Sequence, residues 1–129
     1  MATITNQAAL SYNGVTTLSN IAVGELVEVL TATKTAADTT YTAGGVKTFV
    51  ISLVNSSAAA LTGLTVTDTL GSYTFSGNTL YPLTYVTGSL LYYVNGALQA
   101  TPTVTATAPL TVTSVTVPAG GSAMPIYTA

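Results

Sequence analysis

The 129-residue chain contains no cysteine, histidine or tryptophan, and neither of its two basic side chains is an arginine. Without cysteine, a disulfide framework is excluded. Without histidine or cysteine, the chain lacks the residues from which most nucleophile–base pairs are built, and serine with lysine alone is only weak evidence for a catalytic pair. We therefore expect no enzymatic activity.

Charge is scarce as well, and the formal net charge is only −2. The six charged residues are Glu25, Glu28, Lys34, Asp38, Lys47 and Asp68. Two lysines make no basic patch, so nucleic-acid binding is not expected. The carboxylates follow no EF-hand or repeat-loop spacing, so we expect no bound metal and no other cofactor. Because a nearly neutral surface tends to associate, the composition favours self-assembly.

Long hydrophobic runs are also missing, although 48% of the residues are hydrophobic. No apolar run approaches the roughly 18 residues that a membrane-spanning helix needs, so we expect no membrane span. Met1-Ala2-Thr3 leads directly into a strand pattern without a basic or apolar leader, which predicts no secretory signal in this sequence.

What the chain does contain is a series of short segments in which apolar residues alternate with Thr and Ser, separated by turn residues. This pattern predicts an all-β, antiparallel sandwich, and no stretch of helical periodicity is long enough to predict a helix. Asn95-Gly96 gives the strongest hairpin signal. Besides the N-terminal segment, strands are predicted at 26–34, 47–55, 64–70, 73–75, 83–86, 90–94, 97–99, 110–112, 115–117 and 122–127.

The two ends of the chain stand out from this pattern. Residues 4–12 and a second apolar run through Ile21 and Val23 flank the turn Asn13-Gly14, which predicts a self-contained hairpin. At the other end, the turn 118–121 leads into a final strand that looks truncated. We therefore divide the chain into an assembly hairpin, residues 1–24, and a β-sandwich domain, residues 25–129.

Four short motifs in the right order carry a resemblance to a known family. They are Lys34-Thr35 with the strand 46–55, the block Leu61-Thr62-Gly63-Leu64-Thr65-Val66-Thr67-Asp68-Thr69-Leu70, Gly88-Ser89 with Val94-Asn95-Gly96, and Val117-Pro118-Ala119-Gly120-Gly121-Ser122. Over roughly residues 30–127 the chain resembles the bacterial conserved-repeat domain, domain of unknown function eleven. The resemblance implies an immunoglobulin-like β-sandwich in a cell-surface protein, commonly in tandem arrays, without enzymatic activity.

The chain departs from that family in the order of its parts. In the tandem repeats a closing hairpin follows the last turn, whereas here the segments that look like it, 4–14 and 19–22, stand first. Three interpretations remain open: the hairpin folds back on its own domain, it completes a neighbouring subunit, or the sequence is part of a longer polypeptide. We favour exchange between subunits, because an incomplete sandwich exposes a sheet edge to an added strand.

The expected interface follows from strand alternation. Ile4, Ala8, Leu10 and Tyr12 share one face, which Asn6 interrupts. We expect residues 2–12 to add to an adjacent subunit beside its final strand, 122–127, and to form a helical homopolymer of identical subunits, since such a contact is heterologous. The predicted assembly residues are Ile4, Asn6, Ala8, Leu10, Tyr12, Ile21, Val23, Met124 and Ile126.

The leading hypothesis is a structural subunit of an extracellular filament or appendage on a cell or spore surface. The alternative is an adhesin or surface-stalk module whose ligand-binding face contains Tyr81, Tyr85, Tyr92 and Tyr93. Asp68 shares strand parity with Leu64 and Val66 and is expected to point inward. Lys34 and Asp68 are therefore candidates for an ion pair or an isopeptide crosslink.

Overall fold

The computed structural model describes residues 3–129, and these residues are all-β, which confirms the predicted fold class. The fourteen strands are β1 (Thr3–Asn6), β2 (Ala9–Tyr12), β3 (Val15–Leu18), β4 (Ala22–Glu25), β5 (Leu30–Ala36), β6 (Thr48–Asn55), β7 (Leu61–Asp68), β8 (Tyr73–Phe75), β9 (Asn78–Leu80), β10 (Leu91–Val94), β11 (Ala97–Gln99), β12 (Thr103–Thr107), β13 (Leu110–Val117) and β14 (Ser122–Thr128). Between residues 3 and 129 no helix is long and apolar enough to cross a membrane.

The first four strands form one long hairpin in which β1 pairs with β4 and β2 pairs with β3. Its turn is Asn13-Gly14, where φ is 49° and 77°, the left-handed geometry that a type I′ turn requires. This confirms the predicted turn. Between the two strand pairs, residues 19–21 oppose residues 7–8, so the return strand carries one extra residue. Ser19 closes this bulge by donating its N–H to the Ala8 carbonyl at 2.9 Å.

The rest of the chain forms two sheets of unequal size. One has five strands in the order β11-β10-β14-β6-β5, and the other has three in the order β12-β13-β7. Every strand pair in both sheets is antiparallel. The sheets share one buried core, with Ile51, Leu53, Tyr92, Ala123 and Tyr127 from the larger sheet and Leu110, Val112, Val115 and Val117 from the smaller. Strands β8 and β9 form a separate small hairpin.

The final strand is not truncated, contrary to the expectation from the sequence. β14 has seven residues, as β5 does, and it occupies the centre of the larger sheet with β10 on one side and β6 on the other. Because both edges of β14 are paired, no strand can add beside it. The predicted docking of residues 2–12 beside residues 122–127 is therefore wrong in its location. Met1 and Ala2 lie outside the described residues.

Other predicted strands differ in detail. Residues 83–86 form no strand: Tyr85 is buried in the core, the Val86 N–H donates to the Thr128 carbonyl, and the Val86 carbonyl accepts the Ser89 N–H in a turn. The strand predicted at 26–34 is shifted to Leu30–Ala36, and β9 and β12 were not predicted. The two short strands at 110–112 and 115–117 are one strand with an irregularity near Ser114, where φ is 61°.

Asn55, at the end of β6, ties the two sheets together and is only 1% exposed. Its Nδ2 donates to the carbonyls of Ala59, Val117 and Pro118 at 2.8, 3.3 and 3.1 Å. Its Oδ1 accepts hydrogen bonds from the N–H and the hydroxyl of Ser57. One side chain therefore holds the turn after β6 against the end of β13, with all of its polar atoms paired.

Replacing Asn55 with Ala should lower the free energy of unfolding by about 3 kcal/mol, because the buried Val117 carbonyl and the part-buried carbonyls of Ala59 and Pro118 would lose their donor. Asn78→Ala is the control, since Asn78 is exposed and makes one hydrogen bond, of 3.4 Å, to the Ser76 carbonyl. Urea denaturation of both variants measures the difference. Equal effects of the two substitutions would contradict the assigned role of Asn55.

Candidate assembly site

The N-terminal hairpin holds most of its large apolar side chains in solvent. Seven of them are each more than half exposed: Ile4, Leu10, Tyr12, Val15, Leu18, Ile21 and Val23. No residue from Thr3 to Gly24 carries a charge. Among the described residues, β1 to β4 pair only with one another and join neither sheet of the sandwich. Because a two-stranded hairpin is marginally stable alone in water, this segment is a candidate for contact with another surface.

The tip of the hairpin has one clearly apolar face. Leu10 lies opposite Thr17, and Tyr12 lies opposite Val15. Since directly opposed residues share a face, Leu10, Tyr12 and Val15 project from the same side. We call these three side chains the tip face. Ser11 and its hydrogen-bonded neighbour Thr16 lie on the other side.

The base of the hairpin separates residues that the sequence had grouped. Ile4 opposes Gly24, while Val23 opposes Thr5, so Ile4 and Val23 lie on different faces. Asn6 is exposed and needs no buried partner. Ala8 and Ile21 lie at the break between the strand pairs, outside the strands.

The other two predicted assembly residues, Met124 and Ile126, lie on the outer face of β14. Met124 opposes Tyr93, and these three side chains line a shallow hollow of about 250 Å³. This sheet contains no strand of the hairpin. The structure therefore does not bring Met124 and Ile126 together with the hairpin residues.

A larger groove lies between β5 and β7, the adjacent edges of the two sheets, and has a volume of about 510 Å³. Six apolar side chains line it: Leu30, Ala32, Ile51, Leu53, Leu64 and Val66. Within residues 3–129, β5 and β7 each pair on one side only. This groove was not predicted from the sequence, because the alternating apolar residues of the two strands come together only through the strand order.

Lys34 and Asp68 meet at this groove, as the sequence predicted. Lys34 Nζ lies 2.6 Å from Asp68 Oδ2 and 4.4 Å from the centre of the Phe49 ring. The Tyr127 hydroxyl donates to the same carboxylate oxygen. The Leu70 N–H donates to Oδ1 at 2.9 Å. The Asp68 side chain is 7% exposed and that of Lys34 is 38% exposed.

These contacts set the protonation states of the cluster. Burial alone would raise the pKa of Asp68, but hydrogen bonds from Lys34, Tyr127 and Leu70 outweigh it and hold that pKa below its ordinary value of 3.8. Burial, together with the hydrogen bond to the Asp68 carboxylate, raises the pKa of Tyr127 well above its ordinary value. At neutral pH the carboxylate is therefore charged and the phenol is protonated.

The predicted tyrosine face is wrong. Tyr85 and Tyr92 are buried in the core, and the Tyr92 hydroxyl donates to the Thr116 carbonyl across the sandwich. A different hollow, of about 760 Å³, lies beyond the end of β5 and includes Tyr41 and Lys47. In the part of the chain that the structure describes, no three His, Cys, Asp or Glu residues come together as metal ligands.

Replacing Asp68 with Asn should lower the free energy of unfolding at pH 7 by about 2 kcal/mol, since Lys34 and Tyr127 lose a charged acceptor. The partial exposure of Lys34 limits the loss. Because the folded pKa of Asp68 lies below the unfolded value of about 3.9, this stabilisation is present above that pH and is lost as the pH falls through the folded pKa.

The difference between wild type and Asp68→Asn should therefore shrink below about pH 4, as followed by thermal unfolding across the pH range. Asp38→Asn is the control, because Asp38 is exposed. A difference that stays constant down to about pH 2 would count against the ion pair.

The charged state of Asp68 also favours an ion pair over an isopeptide bond. Amide formation joins Lys34 Nζ to the Asp68 carboxyl carbon and releases one water, and a carboxylate resists this attack by an amine. We expect the intact mass of the protein to equal that of the unmodified sequence. A mass lower by one water would show the crosslink instead.

Comparison with known proteins found no relative whose function could be transferred to these surfaces. No family model matches the chain, and neither the curated proteins nor the solved structures gave a significant match.

Proposed function

We propose that the protein is a structural subunit of an extracellular filament, in which the N-terminal hairpin joins each copy to the next. One observation carries the proposal: a hairpin that has no charge from Thr3 to Gly24 lies outside the sandwich with its large apolar side chains in solvent. Exposed apolar clusters of this kind mark interaction sites in soluble proteins.

The geometry of such a contact leads to a polymer. The donor surface is the hairpin, and the acceptor lies on a different part of the neighbouring copy. A contact between two different surfaces is heterologous, so it produces an open helical assembly unless it closes into a ring. The net charge of −2 adds little repulsion between copies.

Placement outside the cell is supported by the resemblance of roughly residues 30–127 to the conserved-repeat domain of bacterial surface proteins. The chain also contains no cysteine, so an oxidising environment would not crosslink it. Thr and Ser take the outward strand positions that charged residues usually occupy.

A ligand-binding surface module is the second candidate, and the hollow beside Tyr41 favours it. Tyr41 is 81% exposed, and the Lys47 Nζ that donates to the Thr40 carbonyl lies 5.9 Å from the centre of its ring. Negative-stain microscopy of the purified protein separates the two candidates. Long regular fibres support the filament, whereas monodisperse particles support the module.

Leu10→Asp should raise the concentration needed for polymerisation by tenfold or more. Burying a leucine contributes about 1.5–3 kcal/mol, and a factor of ten corresponds to about 1.4 kcal/mol. A buried aspartate adds an unpaired charge to that loss. Sedimentation of the polymer over a concentration series measures the threshold.

The matched control is Ser11→Asp, the next residue of the same strand on the opposite face of the hairpin. It places the same charge one position away and should leave the threshold close to that of wild type. If both variants shift the threshold equally, or if wild type stays monodisperse at all concentrations, the proposed role of the tip face is wrong.

A further inference from the structure

We propose that the acceptor for the hairpin is the groove between β5 and β7 of a second copy of this chain. The donor strand β2 adds to the free edge of β7, and the tip face, Leu10, Tyr12 and Val15, lies over the uncovered inner side of β5. This inference rests on the proposed function and adds to it the site at which neighbouring copies join.

The unequal sheets explain why the groove accepts a strand. On β7, Leu64 and Val66 oppose the buried residues Val115 and Val112, so they face the core, yet they are only partly buried. On β5, Ala32 opposes buried Leu53 and also faces inward, yet it is exposed. A fourth strand beside β7 would cover this side of β5, whereas a strand beside β5 would leave it open.

The charges of the two surfaces fit this pairing. Among residues 3–129, Lys34 and Asp68 are the only charged side chains that line the groove, and they already pair with each other. The hairpin from Thr3 to Gly24 carries no charge. Docking therefore buries apolar side chains against apolar side chains and leaves no unpaired charge behind.

The hinge between hairpin and sandwich favours a second copy over closure on the same chain. Only residues 26–29 separate β4 from β5, a span of at most about 14 Å when extended. The far end of this hinge is fixed, because the Val29 carbonyl accepts the N–H of Ser56 at 2.8 Å. To enter its own groove, the hairpin would have to reverse direction within these residues, and a short hinge of this kind favours exchange between copies.

The test uses the full chain with Ala32→Glu. Ala32 is exposed, so the substitution leaves the core intact and places an unpaired charge where the tip face would lie. Thr31→Glu is the matched control, since Thr31 is exposed on the opposite face of the same strand, across from the exposed Val54. Ala32→Glu should raise the polymerisation threshold at least tenfold, and Thr31→Glu should leave it close to that of wild type.

Mixing two variants then identifies the surfaces that meet. Ala32→Glu keeps the donor hairpin and blocks the groove, whereas Leu10→Asp keeps the groove and blocks the hairpin. Neither variant should polymerise alone at the wild-type threshold. Together they contain one working donor and one working groove, so light scattering should find heterodimers in a one-to-one ratio and nothing longer.

The outcomes separate this inference from the proposed function. If wild type and Ala32→Glu polymerise at the same concentration while Leu10→Asp does not, the filament stands and the groove is not its acceptor. If the mixture contains only monomers although Thr31→Glu polymerises, the tip face and the groove do not meet. If wild type itself never polymerises, the proposed function fails, and the groove as an acceptor between copies fails with it.

Discussion

The sandwich depends on polar side chains that cross from one sheet to the other at fixed points. Asp68 of the smaller sheet accepts hydrogen bonds from Tyr127 and Lys34 of the larger sheet. Near the opposite end of β7, Asn55 of the larger sheet donates to the Val117 carbonyl of the smaller. Between them, Tyr92 donates to a β13 carbonyl. Since a buried polar group without a partner costs about 1–3 kcal/mol, these contacts penalise any sliding of one sheet over the other.

The fixed alignment of the two sheets also determines which part of the larger sheet stays uncovered. With three strands held over five, the inner side of β5 has no strand above it, and the Lys34–Asp68 pair marks the place where the smaller sheet ends. Because buried hydrogen bonds hold the two sheets in place, the groove is already formed before a strand binds. An acceptor that is already ordered loses little conformational entropy on binding, which favours affinity for any donor that fits.

Features set by neighbouring residues could be predicted from the sequence, whereas features set by the pairing of distant strands could not. The turns predicted at Asn13-Gly14 and Asn95-Gly96 are correct, because a type I′ turn is set by the two residues that adopt positive φ. The inward direction of Asp68 followed from alternation with Leu64 and Val66. The central position of β14 and the groove depend on strand order, which pairs residues far apart in the chain. No local pattern distinguishes a central strand from an edge strand when both alternate in the same way.

The scarcity of charge becomes understandable once donor and groove are considered together. In the proposed filament, an unpaired charge on either surface would have to be desolvated at every joint, and that cost would recur along its whole length. From Thr3 to Gly24 the hairpin has no charged residue, and the groove has one pair whose members neutralise each other. The first charged residues of the chain are Glu25, the last residue of β4 at the base of the hairpin, and Glu28, in the hinge, and both side chains are exposed. In the proposed filament the base of the hairpin and the hinge are thus the parts that stay hydrated, while the uncharged part of the hairpin and the groove form the dry, directional contact.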